Sequence, residues 1–196
     1  MTDTITNILM SGVGGQGIIM ASNILSEALL AAGHDVKKSE VHGMAQRGGS
    51  VVSHVRFGDK VFSPLIRKGE VNILYSLEIL ESLRYTDYLH KDSIIILNNY
   101  RLSPPSVSLG AQTYPEGIPE LLRENFPRTA LIDGVEMAKE SGNPKTVSTV
   151  VLGHLSRYID IPDNTWIDIM KERLPSKILD VNLKAFEAGR AVKKVA

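Results

Sequence analysis

The stretch Ile5-Thr6-Asn7-Ile8-Leu9-Met10-Ser11-Gly12-Val13-Gly14-Gly15-Gln16-Gly17 decides the fold. Its first half is a short apolar run that passes directly into glycine-rich chain. Beyond it, Ile18, Ile19, Ala21, Ile24, Leu25, Ala28 and Leu29 recur at helical spacing as far as Gly33, a plausible C-terminal stop. Strand, glycine loop and helix in that order open a doubly wound α/β unit.

Working outward, residues 34–41 predict a second strand, which leads into Gly43-Met44-Ala45-Gln46-Arg47-Gly48-Gly49-Ser50. Next, Val51, Ser53, Val55 and Phe57 alternate with Val52, His54 and Arg56, predicting a strand with one polar face. Gly58-Asp59 before Lys60-Val61-Phe62 predicts a tight hairpin, which would put antiparallel strands into an otherwise parallel sheet. Residues 71–75 read as a strand and 77–90 as an amphipathic helix. Residues 93–97, with Ile94, Ile95 and Ile96, read as a strand buried on both faces. Residues 98–119 hold four prolines and predict a long irregular connection; a helix near 120–125 and a strand at 129–132 follow. From Val135 the pattern is helical, with candidates at 146–158, 163–173 and 176–195, the last with Ser176 as its expected N-cap. The expected fold is a Rossmann-like, three-layer α/β/α domain spanning 1–196. It has a mixed, mainly parallel sheet, a β-hairpin insertion and a helical C-terminal third.

The composition narrows the chemistry. Lys plus Arg and Asp plus Glu both number 22, so no global charge draws the chain to nucleic acid or an anionic membrane. There are no cysteines, hence no disulfide, no Cys-ligated zinc and no Cys-ligated iron–sulfur cluster within these 196 residues. Any electrons this protein handles must travel through a partner. The first residues lack the basic and apolar regions of a signal peptide, and no apolar run reaches the roughly 18 residues of a membrane span. The expectation is a soluble, cytoplasmic protein.

Gly12, Gly14, Gly15, Gln16 and Gly17 satisfy the G-x-G-x-x-G spacing, which lets an anionic group approach backbone N–H groups at a helix N-terminus. The dinucleotide reading also requires an acidic residue about 20 residues on, at the end of the second strand. Asp35 precedes that strand and Glu40 fits loosely, so a tight turn without nucleotide stays open as the plainer reading. No Gly-Lys-Ser/Thr follows, which excludes a P-loop. Gln46, Arg47, Gly48, Gly49 and Ser50 form a second constellation, a flexible backbone beside a fixed cation, suited to an anion nest or to an ordinary turn. Two glycine loops within one sheet suggest a shared functional edge. The stretch Ile178 to Gly189 reads by itself as core packing through Ile178, Val181, Ala185 and Phe186. The five histidines show no metal-ligand spacing, and no G-x-S-x-G elbow occurs. No catalytic residue is expected in this chain alone, and no metal site.

Taken together, these stretches resemble the gamma-type module of the 2-oxoacid:ferredoxin oxidoreductases. The glycine motif Gly12–Gly17, the Arg47-Gly48-Gly49-Ser50 signature with Ser63-Pro64-Leu65-Ile66, and Asn182, Ala185, Phe186 and Gly189 carry the resemblance across essentially the whole chain. The string from Val41 to Gly49 is closest to the indolepyruvate branch, in which the module is a separate small subunit. One departure is Glu70-Val71-Asn72, where the family often has an Asp before the buried strand. The resemblance implies a large partner subunit carrying thiamine diphosphate and iron–sulfur clusters. The complex would decarboxylate an arylpyruvate, pass two electrons to ferredoxin and release an aryl-acetyl-CoA. We expect in addition that this subunit braces the large one and lends the loops at Gly12–Gly17 and Gln46–Ser50 to its active-site edge, with Arg47 meeting a substrate carboxylate or a coenzyme A phosphate. Other readings are a gamma subunit for pyruvate, 2-oxoglutarate or branched-chain 2-oxoacids, an autonomous Rossmann enzyme binding NAD or FAD, and a binding module without a redox partner.

Overall fold

The computed structural model describes residues 5–42 and 48–195, except the side chain of His42. Its strands are β1 (Thr6–Val13), β2 (Asp35–His42), β3 (Ser50–Gly58), β4 (Val71–Ser76), β5 (Leu89–Asn98) and β6 (Thr129–Ile132). The helices are α1 (Ile18–Ala31), α2 (Ile79–Leu83), α3 (Pro105–Ser108), α4 (Ile118–Asn125), α5 (Gly134–Glu140), α6 (Val147–Ser156), α7 (Asp163–Arg173) and α8 (Ser176–Ala191). Single 3-10 turns occupy Thr86–Tyr88 and Pro144–Thr146.

The strands form one sheet in the order β2-β3-β1-β4-β5-β6. Pairings of β1 with β4, β4 with β5 and β5 with β6 are parallel. Those of β3 with β1 and with β2 are antiparallel, so the sheet is mixed and mainly parallel, as expected. One face packs Ile8, Met10, Val55, Tyr75 and Ile96 against α1 and the C-terminal helices. The other packs Leu9, Val52, Leu74, Ile95 and Leu97 against Ile79, Ile118 and Leu122 of α2 and α4. Three layers result because every central strand is apolar on both sides.

Three local expectations are corrected. The hairpin lies between β2 and β3, joined through residues 43–49, and Gly58-Asp59 begins no strand pair. Residues 59–70 instead cross the second sheet face as a strap. Arg56 holds it by donating from Nη1 to the carbonyls of Ser63 (2.9 Å) and Leu65 (3.2 Å), and Val61 N donates to Asp35 Oδ2 at 2.8 Å. Second, the strap buries what read as the polar face of β3: His54 is buried, and its Nδ1 accepts from Ile66 N at 3.3 Å. Third, residues 77–90 do not form one helix. α2 ends at Leu83, a 3-10 turn follows, and β5 already starts at Leu89. The departure at residues 70–72 also has a local role: Asn7 bridges β1 to this segment, its N donating to Asn72 Oδ1 and its Nδ2 to Glu70 O, each at 2.8 Å.

In the C-terminal third, α8 starts at Ser176 itself, with Pro175 in extended conformation at the cap position. α6 and α8 cross at glycines: a Cβ on Gly189 would overlap the Val150 carbonyl oxygen, and one on Gly153 would overlap that of Phe186. Buried Asn182 accepts from Thr149 Oγ1 at 2.6 Å and donates to Ile178 O at 2.8 Å. Ala185 and Phe186 are buried in the same core, so Asn182, Ala185, Phe186 and Gly189 form the packing face of α8.

Two expected outcomes follow from this packing. Gly189→Ala forces the helix pair apart and should destabilise the chain by about 3 kcal/mol, the upper part of the overpacking range. Calorimetry should then show the melting temperature falling by on the order of 10 °C. His54 and His154 are both buried, and burial pushes each imidazole below the ordinary 6.5. The unfolded chain takes up protons below that value which the folded chain does not. The associated stability is therefore complete above pH 6.5 and is lost as the pH falls through the depressed folded values. Urea midpoints measured from about pH 7.5 down to about pH 5.5 should drop, and His154→Gln should flatten the drop.

Candidate functional site

The carboxyl ends of β1 and β4 mark the point at which the chain connections turn to opposite sides of the sheet, where open α/β folds place their ligands. Gly12 lies in β1, Gly14, Gly15 and Gln16 in the loop, and Gly17 at the cap of α1. Gly15 and Gly17 adopt φ values of 99° and 89°, the left-handed region that side chains resist. Gly17 has a second reason to be glycine: a Cβ there would lie 2.6 Å from Ser148 Oγ at the start of α6. Gln16 folds back over the loop, its Oε1 accepting from Val13 N at 2.7 Å while its Nε2 reaches the Leu77 carbonyl at 3.5 Å.

The structure brings the second glycine loop against the first. Gly14 N donates to Gly49 O at 2.8 Å, Gly48 N donates to Gly14 O at 3.3 Å, and Ser50 pairs with Val13 across β1 and β3. Gln46 and Arg47 lie outside the described residues. Three hollows open around this junction. One of about 440 Å3 is lined by Val13, Gly14, Gly15, Ile18 and Val51. Another, of about 560 Å3, is lined by Gln16, Leu77, Asn98, Tyr100 and Lys145. The third, of about 690 Å3, is lined by Gly48, Ser50, Glu78, Glu81, Arg84 and Leu102.

The polar residues beneath the loops escaped the motif reading. Ser11 Oγ donates to Ser76 Oγ at 2.9 Å, and Asn98 joins the ends of β4 and β5 to α5 by donating to Leu77 O and accepting from Gly134 N, each at 3.1 Å. Glu78 is buried and caps α2, accepting from Glu81 N at 2.8 Å. Its other oxygen accepts from Tyr114 OH (2.5 Å) and Leu102 N (3.0 Å), which pins residues 99–117 at both ends. The signal was present as two acids three apart in the apolar run Leu77-Glu78-Ile79-Leu80-Glu81, a spacing that suits a helix start.

The dinucleotide reading meets a geometric obstacle. β3 lies between β1 and β2, so an acid on β2 sits two strand spacings, about 10 Å, from the strand that bears the glycine loop. Both candidate acids are also engaged: Asp35 with Lys37 and Val61 N, Glu40 with Lys38 (2.7 Å) and Ser22 Oγ (3.3 Å). Lys37 beside it holds the Asp35 carboxyl below its ordinary range. Among the described residues no group of three or more His, Asp or Glu is placed to hold a metal ion, and no helix is long and apolar enough to cross a membrane.

Residues 7–192 match the family described as pyruvate ferredoxin/flavodoxin oxidoreductase. The chain belongs to that family. It is 42% identical over 188 residues to the indolepyruvate oxidoreductase subunit IorB of Archaeoglobus fulgidus, covering 93% of this chain and 92% of that one. Among solved structures it resembles the gamma subunit of a keto/oxoacid ferredoxin oxidoreductase from Geobacter sulfurreducens. There the TM-score is 0.69 and the identity 24%, over 94% of this chain and 95% of that one. It also resembles a 2-oxoglutarate:ferredoxin oxidoreductase from Magnetococcus marinus, solved with 2-oxoglutarate, coenzyme A and succinyl-CoA bound. In that case the TM-score is 0.73 and the identity 21%, over 97% of this chain but 32% of that longer one. The last two likenesses speak for the shared fold. The family membership bears out the resemblance carried by the three stretches together: the chain is a subunit of an oxidoreductase.

Gly17→Ala should destabilise the chain by at least about 1 kcal/mol from left-handed strain alone. Adding Ser148→Ala removes the nearer of the two clashing atoms and should recover part of that loss in urea unfolding, leaving the strain component behind.

Proposed function

We propose that this chain, one gamma-type domain over residues 1–196, is the small subunit of a cytoplasmic indolepyruvate:ferredoxin oxidoreductase. The observation that carries the reading is the 42% identity, at nearly full length on both sides, to a relative named for indolepyruvate. The solved relatives named for 2-oxoglutarate and for oxoacids in general fall below 25% identity and so do not favour those substrates. The complex oxidatively decarboxylates an arylpyruvate to the aryl-acetyl-CoA and reduces ferredoxin. Thiamine diphosphate, when bound by the large subunit, supplies the electron sink for decarboxylation, and iron–sulfur clusters there supply the electron path. With no cysteine of its own, this chain leaves that cluster chemistry to its partner.

Its contribution lies in its shape. Gly12, Gly14, Gly15, Gln16 and Gly17 abut Gly48, Gly49 and Ser50 at the carboxyl end of the sheet, and we assign that junction to the edge of the partner's active site. Gln46 and Arg47 belong to the same loop in sequence. The Arg47 guanidinium and nearby N–H groups meet an anion there, either the substrate carboxylate or a coenzyme A phosphate. These groups bind and orient; none of them exchanges a proton or an electron with substrate.

Tagging this chain in its native host should recover a large partner that carries thiamine diphosphate and iron–sulfur absorbance and is active on indolepyruvate. A colourless chain eluting alone with nucleotide would restore the autonomous Rossmann enzyme. In the assembled complex Arg47→Ala should lower turnover about a hundredfold, the scale of a lost charge-assisted contact. Unchanged turnover with unchanged coenzyme A dependence sinks the role given to Arg47.

A further inference from the structure

One buried carboxylate near the loops serves no part of the core. Glu81 is 5% exposed, and a carboxylate taken that far from water is stable only where hydrogen bonds replace its hydration. Its two oxygens are both occupied. Oε2 accepts from Ser50 Oγ at 2.5 Å, a short charge-assisted bond, and Oε1 accepts from Arg84 Nε at 2.9 Å. Arg84 is half exposed, so that ion pair alone is a weak reason to bury an acid.

The Ser50 bond accounts for the burial better. Ser50 is the first residue of β3 and directly follows Gly48-Gly49, the pair whose backbone exchanges hydrogen bonds with Gly14. Since its own hydrogen goes to Glu81, the contact with Tyr85 OH at 3.5 Å leaves Tyr85 as donor and Ser50 as acceptor. Burial raises the Tyr85 phenol above its ordinary value, which keeps that hydrogen in place. At the other end Glu81 is itself fixed, because Glu78 accepts from its N–H and Leu77 N donates to Ser11 O at 3.0 Å. A continuous path of short polar contacts therefore runs from the end of β1 through α2 and Glu81 to Ser50, and back through Gly49 and Gly48 to Gly14. A turn of two glycines has little conformational preference of its own, so a fixed attachment on one side decides where it rests.

We propose that Glu81 is a positioning residue. Acting through Ser50, it holds the Gly48-Gly49 turn against the Gly12–Gly17 loop and so sets the geometry that the two loops offer to an anionic ligand. The inference rests on the assignment of those loops to the active-site edge. It adds a residue outside both motifs and a direction of action.

The test uses the assembled complex of this chain with its large subunit, measuring kcat and separate KM values for indolepyruvate and coenzyme A. Glu81→Ala and Ser50→Ala should each raise one of the two KM values by about tenfold, the effect of sub-ångström misplacement of a binding group. The double variant should be no worse than either single one, because both break the same link. Glu81→Gln keeps an acceptor for the Ser50 hydroxyl and should stay close to the parent, and every variant should still assemble with the large subunit in the parent's yield. Additive effects in the double variant overturn the proposal. So does a loss of assembled complex at unchanged KM, the mark of a merely structural acid. Arg47→Ala measured alongside separates the two levels. If it impairs the enzyme while Glu81→Ala and Ser50→Ala do not, the active-site edge stands and Glu81 is not its support. If all three variants are silent, both assignments fall.

Discussion

β1 must satisfy its backbone on both sides at once, and it does so with neighbours of opposite sense. β4 pairs with it in parallel over Ile8 to Ser11, and β3 pairs antiparallel along its full length, Thr6 to Val13. Much of the site follows from this arrangement. Because β3 runs backwards beside β1, the start of β3 lies at the carboxyl end of β1, so the loop before β3 arrives where the glycine loop after β1 departs. Two glycine-rich segments more than 30 positions apart thus meet backbone to backbone, through Gly14 with Gly48 and Gly49. The same insertion moves β2 one place outward, which removes the acid that a dinucleotide-binding unit keeps near its glycines.

Bringing backbone together at a sheet edge leaves polar groups without a ladder partner, and in a buried place each must find another. The solution here is a floor of short polar side chains. Ser11 and Ser76 join the ends of adjacent strands, Asn98 ties β5 to α5, Gln16 closes its own loop, and Glu78 caps α2 while gripping Tyr114 and Leu102. Such a network is worth most when every member is satisfied. It ties together the strand and helix ends on which the glycine loops sit.

How much of this was legible in the sequence depended on whether the signal was local. The first strand, its loop and α1 were readable because apolar period, glycine and helix follow one another within about thirty residues. Residues 93–97 were readable because an isoleucine run has few alternatives. The hairpin was misplaced because Gly58-Asp59 has better local turn chemistry than the 43–49 connection, yet pairing is decided by what β1 needs across the sheet. His54 and Arg56 read as a solvent face because nothing local announces that residues 59–70 will lie over them. The helix assigned to 77–90 failed for a similar reason: its apolar positions serve α2 at one end and the first turn of β5 at the other. Glu78 and Glu81 were passed over because acids are usually solvated, and only the fold shows them buried.

Glycine carries unlike meanings along this chain, and the fold separates them. Gly153 and Gly189 sit in ordinary helical conformation and are small because another backbone passes within contact distance, so their role ends at packing α6 on α8. Gly15 and Gly48 have positive φ and open space where a side chain would go. A glycine that leaves room unfilled makes the chain more costly to fold and adds no packing. Its presence is explained by the turn it permits, which leaves the backbone there open to approach. The C-terminal signature and the glycine loops resemble the same family in sequence, yet the first is accounted for by packing within the chain, whereas Gly15 and Gly48 pack against nothing in it. On that distinction the junction of the two loops, and not α8, is the part of the molecule to which we assign the edge of a partner's active site.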